Sequence, residues 1–532
     1  MVWPLLPLVL EGLLRPSLAA SAAVAALLGV KGSLLWPLGA PATLIGIGLL
    51  VRARRAALGP ATVAASRCSC KDHEERVKAA AEAAQQPGPL RMFKATASNT
   101  FRPQQIATRK RSAGRLDLSR FVHVLEINTE ELWCDIEASA TFETFAAEAL
   151  AAGTVPLVIP ELRSITVGGA VVGIGLESSS FRYGFFHDGL IEADILLASG
   201  EVVTARPTGE HAELFRAIPN SLGSFGYLLR LRMKVRRAQP YVRFEKVWFS
   251  SPEALVKGCE VASGDAANDF VDAVALGEQG GMVMTAKFVA EVPAGQAAKT
   301  YGFWPQFYPS IVHEGVEYMS TTDYIWRWDA DWFWCTQIFP GLTMWWVRFL
   351  CGPDTLRSNN YKIFNDAMIS HVAEPLGRNK NEELIVQDIE IPLERSAEWI
   401  REFLKVVPSI RMGKIKLTRP GLPEAVPIWL CPITGTDSPL MPMKPGKLYI
   451  NFGFWDSLTG PETEGGMKTG RINRALEALC AKMDGKKTLY SAAYFTEEEF
   501  HAQYNGDLYR KIKAQYDPHG RIRGWYERLM RA

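Results

Sequence analysis

The sequence predicts an α+β protein of two folded parts behind an N-terminal hydrophobic segment. Three observations lead there. The chain has 532 residues, enough for two or three domains with sizeable cores. Between residues 72 and 237, short strand and helix patterns alternate irregularly, with hairpin signals rather than a strict strand–helix repeat. From 238 to 484 aromatic residues become dense, as in "YGFWPQFYP" and "DYIWRWDADWFWCTQIFPGLTMWWVRFL", which marks a second, differently packed part. Residues 485–532 form a C-terminal segment.

Composition narrows the function. Hydrophobic residues make up 48% and charged residues 22%, as in ordinary globular proteins. A net charge of +2 gives no electrostatic case for nucleic acid. Eight cysteines show no framework spacing, and Cys68 and Cys70 sit too close for an easy disulfide, so a reduced compartment is the simpler reading. No His/Cys cluster has metal-ligand spacing, and no metal is expected. Oligomeric state is not legible.

The first 56 residues are the hydrophobic segment. Glu11 is the only acid in the first seventy residues, and Gly32–Val51 is a run of twenty residues without charge, the length of a bilayer core as a helix. Pro37 and Pro41 would kink its first half. Arg52, Arg54 and Arg55 follow at once and would keep the rest of the chain cytoplasmic. Ser17–Val30 is a shorter apolar run ended by Lys31. The adopted reading is a membrane anchor; an Ala-, Ser- and Arg-rich organelle transit peptide is the alternative.

Beyond a linker at 57–71, "DHEERVKAAAEAAQQ" reads as a helix stopped by Pro87-Gly88-Pro89. "RMFKATAS", "HVLEINTE" and "LWCDIEAS" read as strands, "TFETFAAEALAAG" as a helix ending on Gly153, and "TVPLVIP" as a buried strand. "GLIEADILLASGEVVTARP" is a hairpin turning at Ser199-Gly200. "HAELFRAIP" is a short helix, and "GSFGYLLRLRMKV" a glycine turn into a strand.

One stretch, "TVGGAVVGIGLESSSFRYGFF", fits neither helix nor ordinary strand. Gly168, Gly169, Gly173 and Gly175 are four glycines in eight residues. Glycine permits close backbone approach, so the expected structure is a loop whose N–H groups turn toward a ligand such as a diphosphate. Thr166, Ser178, Ser179 and Ser180 add hydroxyls, and Glu177 would organise the loop. GxGxxG and the P-loop lysine are absent, so a nucleotide here would lie along loops. A purely structural glycine turn is the competing reading.

Read whole, "PELRSITVGGAVVGIGLESSSFRYGFF" resembles the FAD domain of the Δ24-sterol reductase family, within the vanillyl-alcohol-oxidase-like flavoproteins. "ELFRAIPNSLGSFGYLLRLRMKV", "VQDIEIPL", "VPIWLCPI" and "LYSAAYFTEEEFHAQYNGDLYRKIKAQY" resemble the same family, in family order, over about 450 residues. The resemblance implies a two-lobed FAD-binding domain at 72–237, an α+β substrate (cap) domain at 238–484, and a C-terminal segment near the flavin. It implies non-covalent FAD held by Lys94 to Arg102, with Ser98, Asn99, Thr100 and Arg102 on the phosphates, and by Gly168 to Ser180. The adenine end would lie near Ile218 to Gly226, at Gly223 and Gly226. It also implies NADPH as reductant, a sterol substrate, and the endoplasmic reticulum membrane. Two departures stand out. Phe181 replaces a histidine of the animal relatives, and Ala492 replaces an acid of their "YADCY" pattern.

The family reaction reduces an isolated alkene in a sterol side chain. Such an alkene must be protonated as hydride arrives, so a general acid must face the flavin in a dry pocket. Candidates are Tyr494 first, then Tyr490, Asp388 and Glu390. Asp388 and Glu390 alternate on a strand and share a face. The competing reading makes the tyrosines structural hydrogen-bonders and the acids a solvated strand face. Two other functions stay open: a related FAD-dependent oxidase or dehydrogenase of another substrate, and a binding protein without flavin.

Overall fold

The computed structural model describes residues 70–94, 115–301, 304–331, 333–338, 345–351, 357–358, 381–406 and 413–530. The hydrophobic segment 1–56, and Ser98, Asn99, Thr100 and Arg102 of the first flavin loop, lie outside the described residues. Among the described residues no helix is long and apolar enough to cross a membrane.

The first domain opens with helix α1 (Cys70–Gln85) and two short parallel strands, β1 (Arg91–Phe93) and β2 (Arg115–Asp117). An antiparallel sheet follows, built from β3 (Val124–Asn128), β4 (Trp133–Glu137), β5 (Thr154–Pro156), β6 (Leu190–Leu197), β7 (Val202–Ala205) and β8 (Gly226–Arg237). The small lobe of α1, β1 and β2 packs through Ala80, Ala84 and Leu116 on Leu196, Tyr227 and Leu229 of that sheet. Buried Glu137 pins the lobe, accepting hydrogen bonds from His73 (2.7 Å), Arg76 (2.6 Å) and His123 (2.7 Å). Burial alone would raise its pKa, but these donors hold it below the ordinary range.

On the other side of the sheet lie α2 (Phe142–Ala151), α3 (Val167–Gly173) and α5 (Ala212–Ala217), while α4 (Ser180–Tyr183) reaches into the second domain. Thr141 caps α2, its hydroxyl accepting from the Thr144 N–H at 3.3 Å. The hairpin between β6 and β7 turns on Gly200 at φ 90°. Helix α3 corrects the sequence reading, which expected a loop at the four glycines. Its first N–H groups need partners, and carbonyls just beyond β4 supply them: Val167 donates to Ala140 and Gly168 to Ala138, both at 2.8 Å. A Cβ on Gly168 would lie 2.8 Å from the Ala138 oxygen. Glycine is needed there for close packing, which overrides its poor helix propensity.

The second domain is one antiparallel sheet with order β12-β9-β11-β10-β14-β15-β13-β16. In chain order its elements are β9 (Tyr241–Phe249), α6 (Pro252–Gly264), β10 (Phe270–Ala275), β11 (Gly281–Val289), β12 (Gly315–Ser320), α7 (Thr321–Ile325), α8 (Trp345–Cys351), β13 (Glu382–Pro392), α9 (Ser396–Val406), β14 (Ile428–Thr434), β15 (Leu448–Thr459), α10 (Arg471–Lys482) and β16 (Lys486–Lys487). Side chains alternate between its two faces. One face, with Ile389, Leu430, Phe452 and Ala273, forms a dry core with Leu255 of α6, Trp399 of α9 and Leu476 of α10. The other face carries Asp272, Trp429, Asn451, Trp455, Asp388 and Glu390 and turns toward the first domain.

The chain ends in α11 (Glu497–Gln503), α12 (Gly506–Tyr516) and α13 (Trp525–Met530), which return to the first domain. Tyr509 stacks near Phe225, and Lys513 donates to the Ser224 carbonyl at 2.6 Å.

Candidate cofactor and acid site

Two neighbouring pieces of the first domain form the candidate cofactor cradle. Helix α3 runs beside the loop Ile218–Gly226, and the Leu222 N–H donates to the Val172 carbonyl at 2.9 Å. Backbone strain concentrates here. Ile174, a β-branched residue, sits at φ 65°, Asn220 at 62° and Leu222 at 54°. Strain of this kind persists where surrounding structure holds it for a purpose, commonly a ligand.

Gly173 borders this strained segment. It is buried, yet a Cβ built on it would meet no atom of the described residues within 4 Å. The position admits a close approach to the backbone. At the start of α3, the Lys94 ammonium donates to the Thr166 hydroxyl at 2.7 Å. A Cβ on Gly169 would lie 2.7 Å from that same hydroxyl. A cation, a hydroxyl and side-chain-free backbone beside an open space fit a diphosphate-bearing cofactor. Lys94, Thr166, Gly169 and Gly173 are the described residues that would hold it.

Other expected cofactor residues have different work. Gly168 spends its N–H on Ala138. Gly175 packs against Pro160 and Ala170, and Gly226 against Ile195 in the sheet. Gly223 takes φ 72° in a turn. The serines point inward: the Ser179 hydroxyl donates to the Leu157 carbonyl (2.8 Å), and the Ser180 hydroxyl accepts from the Glu177 N–H (3.1 Å). The Ser178 carbonyl accepts from Val271 on β10 at 2.7 Å. This segment is the peg by which the first domain grips the cap. Phe181 lies in the cap's dry core, its carbonyl accepts from Thr434, and Arg182 donates to the Ala266 and Asn268 carbonyls. The phenylalanine that departs from the animal pattern is thus a packing residue here.

The acids share one buried centre. Asp388 and Glu390 are 5% and 0% exposed, which removes the solvated-face reading. Asp388 accepts from the Asn451 amide at 2.9 Å, and burial pushes its pKa up to about 7 against hydrogen bonds from Asn451 and Trp455. Gly453, its cross-strand partner, has no side chain, and a Cβ there would lie 2.9 Å from Asp388 Oδ1. Burial and the neighbouring Asp388 raise Glu390 well above the usual range, and neither of its oxygens has a hydrogen-bond partner among the described residues.

Glu161 and Glu177 extend the centre from the first domain. Burial and the charge of Glu177 raise Glu161 strongly. Burial raises Glu177 too, against the pull of Arg327. Arg327 is fully buried between Glu177 (3.1 Å) and Asp272 (2.8 Å), and the indoles of Trp328 (3.3 Å) and Trp429 (3.1 Å) also donate to Asp272. Glu161 and Asp272 escaped sequence reasoning. Each is an isolated acid in an apolar stretch, and only the burial of such an acid could have flagged it.

The two tyrosines stand on the segment that follows β16. The Tyr494 hydroxyl donates to the Met467 carbonyl at 2.8 Å, its N–H donates to Glu477, and its ring packs on Gly470 before α10. Its hydroxyl is committed to the main chain. Tyr490 is half-buried on the segment joining β16 to α11. His187 stacks on Phe185 and bonds Ser438 at 2.6 Å.

Comparison with known proteins agrees with the cradle. An FAD binding domain family model matches residues 66–206. Delta(24)-sterol reductases of Macaca fascicularis and Arabidopsis thaliana are each 25% identical, over 431 and 442 residues; the matches cover 77% and 75% of this chain and 76% and 74% of those proteins. Cytokinin dehydrogenase 8 of Oryza sativa subsp. indica is 30% identical over 146 residues, 26% of this chain and 27% of that protein. The FAD-binding match, the cofactor cradle and the long collinear similarity together make the chain an FAD-dependent oxidoreductase that is similar to Δ24-sterol reductases over three quarters of its length.

Proposed function

We propose that the chain reduces the side-chain Δ24 alkene of a sterol, with NADPH as the reductant and the bilayer as the source of substrate. The observation that carries this reading is the pair Asp388 and Glu390. Two buried carboxyls, Asp388 with its pKa pushed up to about 7 and Glu390 raised well above the usual range, stand on the face of the cap that meets the cofactor domain, which is what protonation of an unconjugated alkene requires.

FAD, when bound, supplies the hydride. The protein's residues do the rest. Asp388 gives its proton to the less substituted alkene carbon, so positive charge develops on the tertiary carbon. The carboxylate left on Asp388 is stabilised by the Asn451 and Trp455 donors. Glu390 and Glu161, both raised well above the usual range by burial, lie beside it. Trp328, Phe333, Trp429 and Trp455 make the aromatic wall that excludes water, with Phe333 stacked on Trp328 at 4.8 Å and edge-on to Trp455 at 4.9 Å. The twenty uncharged residues at Gly32–Val51 support a membrane anchor in the endoplasmic reticulum, with the described domains on the cytoplasmic side.

The test is an absorption spectrum of the detergent-purified protein before and after anaerobic NADPH. Flavin bands that bleach, and return on adding a Δ24-sterol, are expected. Flavin that bleaches only with an alcohol, or reoxidises quickly in air, would replace this reading with an oxidase or dehydrogenase of another substrate.

A further inference from the structure

Helix α8 is turned inside out relative to an ordinary surface helix. Its charged residue, Arg348, is fully buried and grips Asp331 with both ends of the guanidinium, at 2.5 and 3.1 Å. Its aromatic residues face outward: Trp345 is 62%, Trp346 39% and Phe349 63% exposed. Water favours the opposite arrangement, and a cluster of exposed large aromatics marks a surface built to meet an apolar partner.

Two further observations identify that partner as lipid. The first is the tether. Val51 ends the bilayer-length uncharged run, and the described fold begins at Cys70. Residues 52–69 are eighteen residues, a reach of at most about 65 Å when extended. If the run is anchored, Cys70, where the described fold begins, stays within that distance of a bilayer. The second is continuity. Arg348 holds α8 to Asp331, and two residues on, Phe333 is forced to φ 63° with its ring against Trp328, Trp429 and Trp455. Trp455 in turn bonds Asp388. The exposed patch and the aromatic wall of the acid site are thus two ends of one packed structure.

We propose that α8 docks on a bilayer surface, with Trp345, Trp346 and Phe349 seated at headgroup depth, where tryptophan and phenylalanine side chains are stable. The inward ion pair fixes the helix so that its aromatic face cannot fold back. This second attachment orients the cap against the membrane and goes beyond the proposed reaction, so it is tested without turnover.

The full-length chain, reconstituted into phosphatidylcholine vesicles, is labelled with the fluorophore NBD at Phe349→Cys, or separately at Trp345→Cys. A control label sits at Val261→Cys, 62% exposed on α6 across the cap sheet. The unsubstituted chain gives the background from native cysteines. Nitroxide-bearing lipids are expected to quench positions 345 and 349 several-fold more than position 261. Equal quenching at all three would overturn the proposal. Protection at 345 and 349 from both lipid nitroxide and aqueous iodide would also overturn it, because a second copy or another protein would then cover the patch. A measurement needing no substitution runs alongside: lipids with a photoreactive acyl chain should label the unmodified protein at 345–349 and spare 252–264. No adduct at 345–349 would likewise sink the idea.

Discussion

The two faces of the cap sheet make the sharpest contrast in the molecule, because the same strands build both. Across β10, β14, β15 and β13, Ala273, Leu430, Phe452 and Ile389 stand in register and point into the dry core under α6, α9 and α10. In the adjacent row, one residue along, Val274, Trp429, Gly453 and Asp388 stand in register on the opposite face. The period of two in a strand is what allows this. One face supplies rigidity through packing; the other holds acids that are unfavourable to bury. A site that must keep a carboxyl protonated near neutrality depends on such an arrangement, since the penalty is carried by apolar burial elsewhere.

The largest effect should follow from breaking the acid face at its reactive residue. Asp388→Asn keeps shape and hydrogen bonding but cannot give up a proton, so sterol reduction should fall about 10²–10⁴-fold. Stability should move the other way. The Asp388 carboxyl titrates near 4 when unfolded and about 7 when folded. The folded state therefore holds the extra proton between those values, and stability drops as pH rises from about 4 to about 7, staying low above that. The Asn variant should lose this drop, so melting curves at pH 5 and pH 8 should lie closer together than in wild type. Unchanged turnover would move the proton donor to Glu390, and Glu390→Gln would then carry the loss.

Arg327→Met tests what holds the acids in place. It removes the cation between Glu177 and Asp272 and leaves buried charge uncompensated. A loss of about 3–5 kcal/mol in urea unfolding is expected. Restoring much of it with Asp272→Asn in the same chain would show that the loss comes from the stranded carboxylate rather than from the hole left by the side chain.

On the dry face, Leu476→Ala should cost about 2–5 kcal/mol through the cavity it leaves. Leu476 is fully buried among Ile389, Phe452 and Trp399. The turnover of whatever fraction remains folded should match wild type, and so should its flavin absorbance. A drop in turnover per folded molecule would mean that the two faces are not mechanically separate.

The sequence made some of this visible and concealed the rest for physical reasons. Alternation alone placed Asp388 and Glu390 on a common face, because strand geometry is local. Their burial was not legible, since it depends on another domain meeting that face, with Glu161 brought near Asp388 across 227 positions of sequence. Arg327 between Glu177 and Asp272 joins positions 150 and 55 residues apart. No local pattern encodes such a meeting. Helix α3 was missed because its glycines argue against a helix, and the first of them, Gly168, is explained only by its contact with Ala138. Tyr494 lies in a family-like motif, but its hydroxyl is committed to Met467, a partner 27 residues away on a turn. The FAD class became legible through five collinear motifs rather than through any one of them.

The smallest effect is the most discriminating, and it extends the contrast from faces to single glycines. Gly168 and Gly173 lie five residues apart on α3. A Cβ at Gly168 would press on the Ala138 carbonyl, so Gly168→Ala should destabilise the fold by about 1–3 kcal/mol whether or not cofactor is present. A Cβ at Gly173 would meet no atom of the described residues, so Gly173→Ala should leave the cofactor-free fold unchanged or stabilise it by about 0.5–1 kcal/mol, as alanine does in a helix. If the space before Gly173 belongs to FAD, the same methyl should weaken FAD binding about tenfold, or about 1.4 kcal/mol. Melting the two variants with and without added FAD separates the cases. A Gly173→Ala protein that binds FAD as tightly as wild type would mean that the cofactor runs along the loop Ile218–Gly226 instead of the end of α3. The strain at Asn220 and Leu222 would then be the feature that serves it.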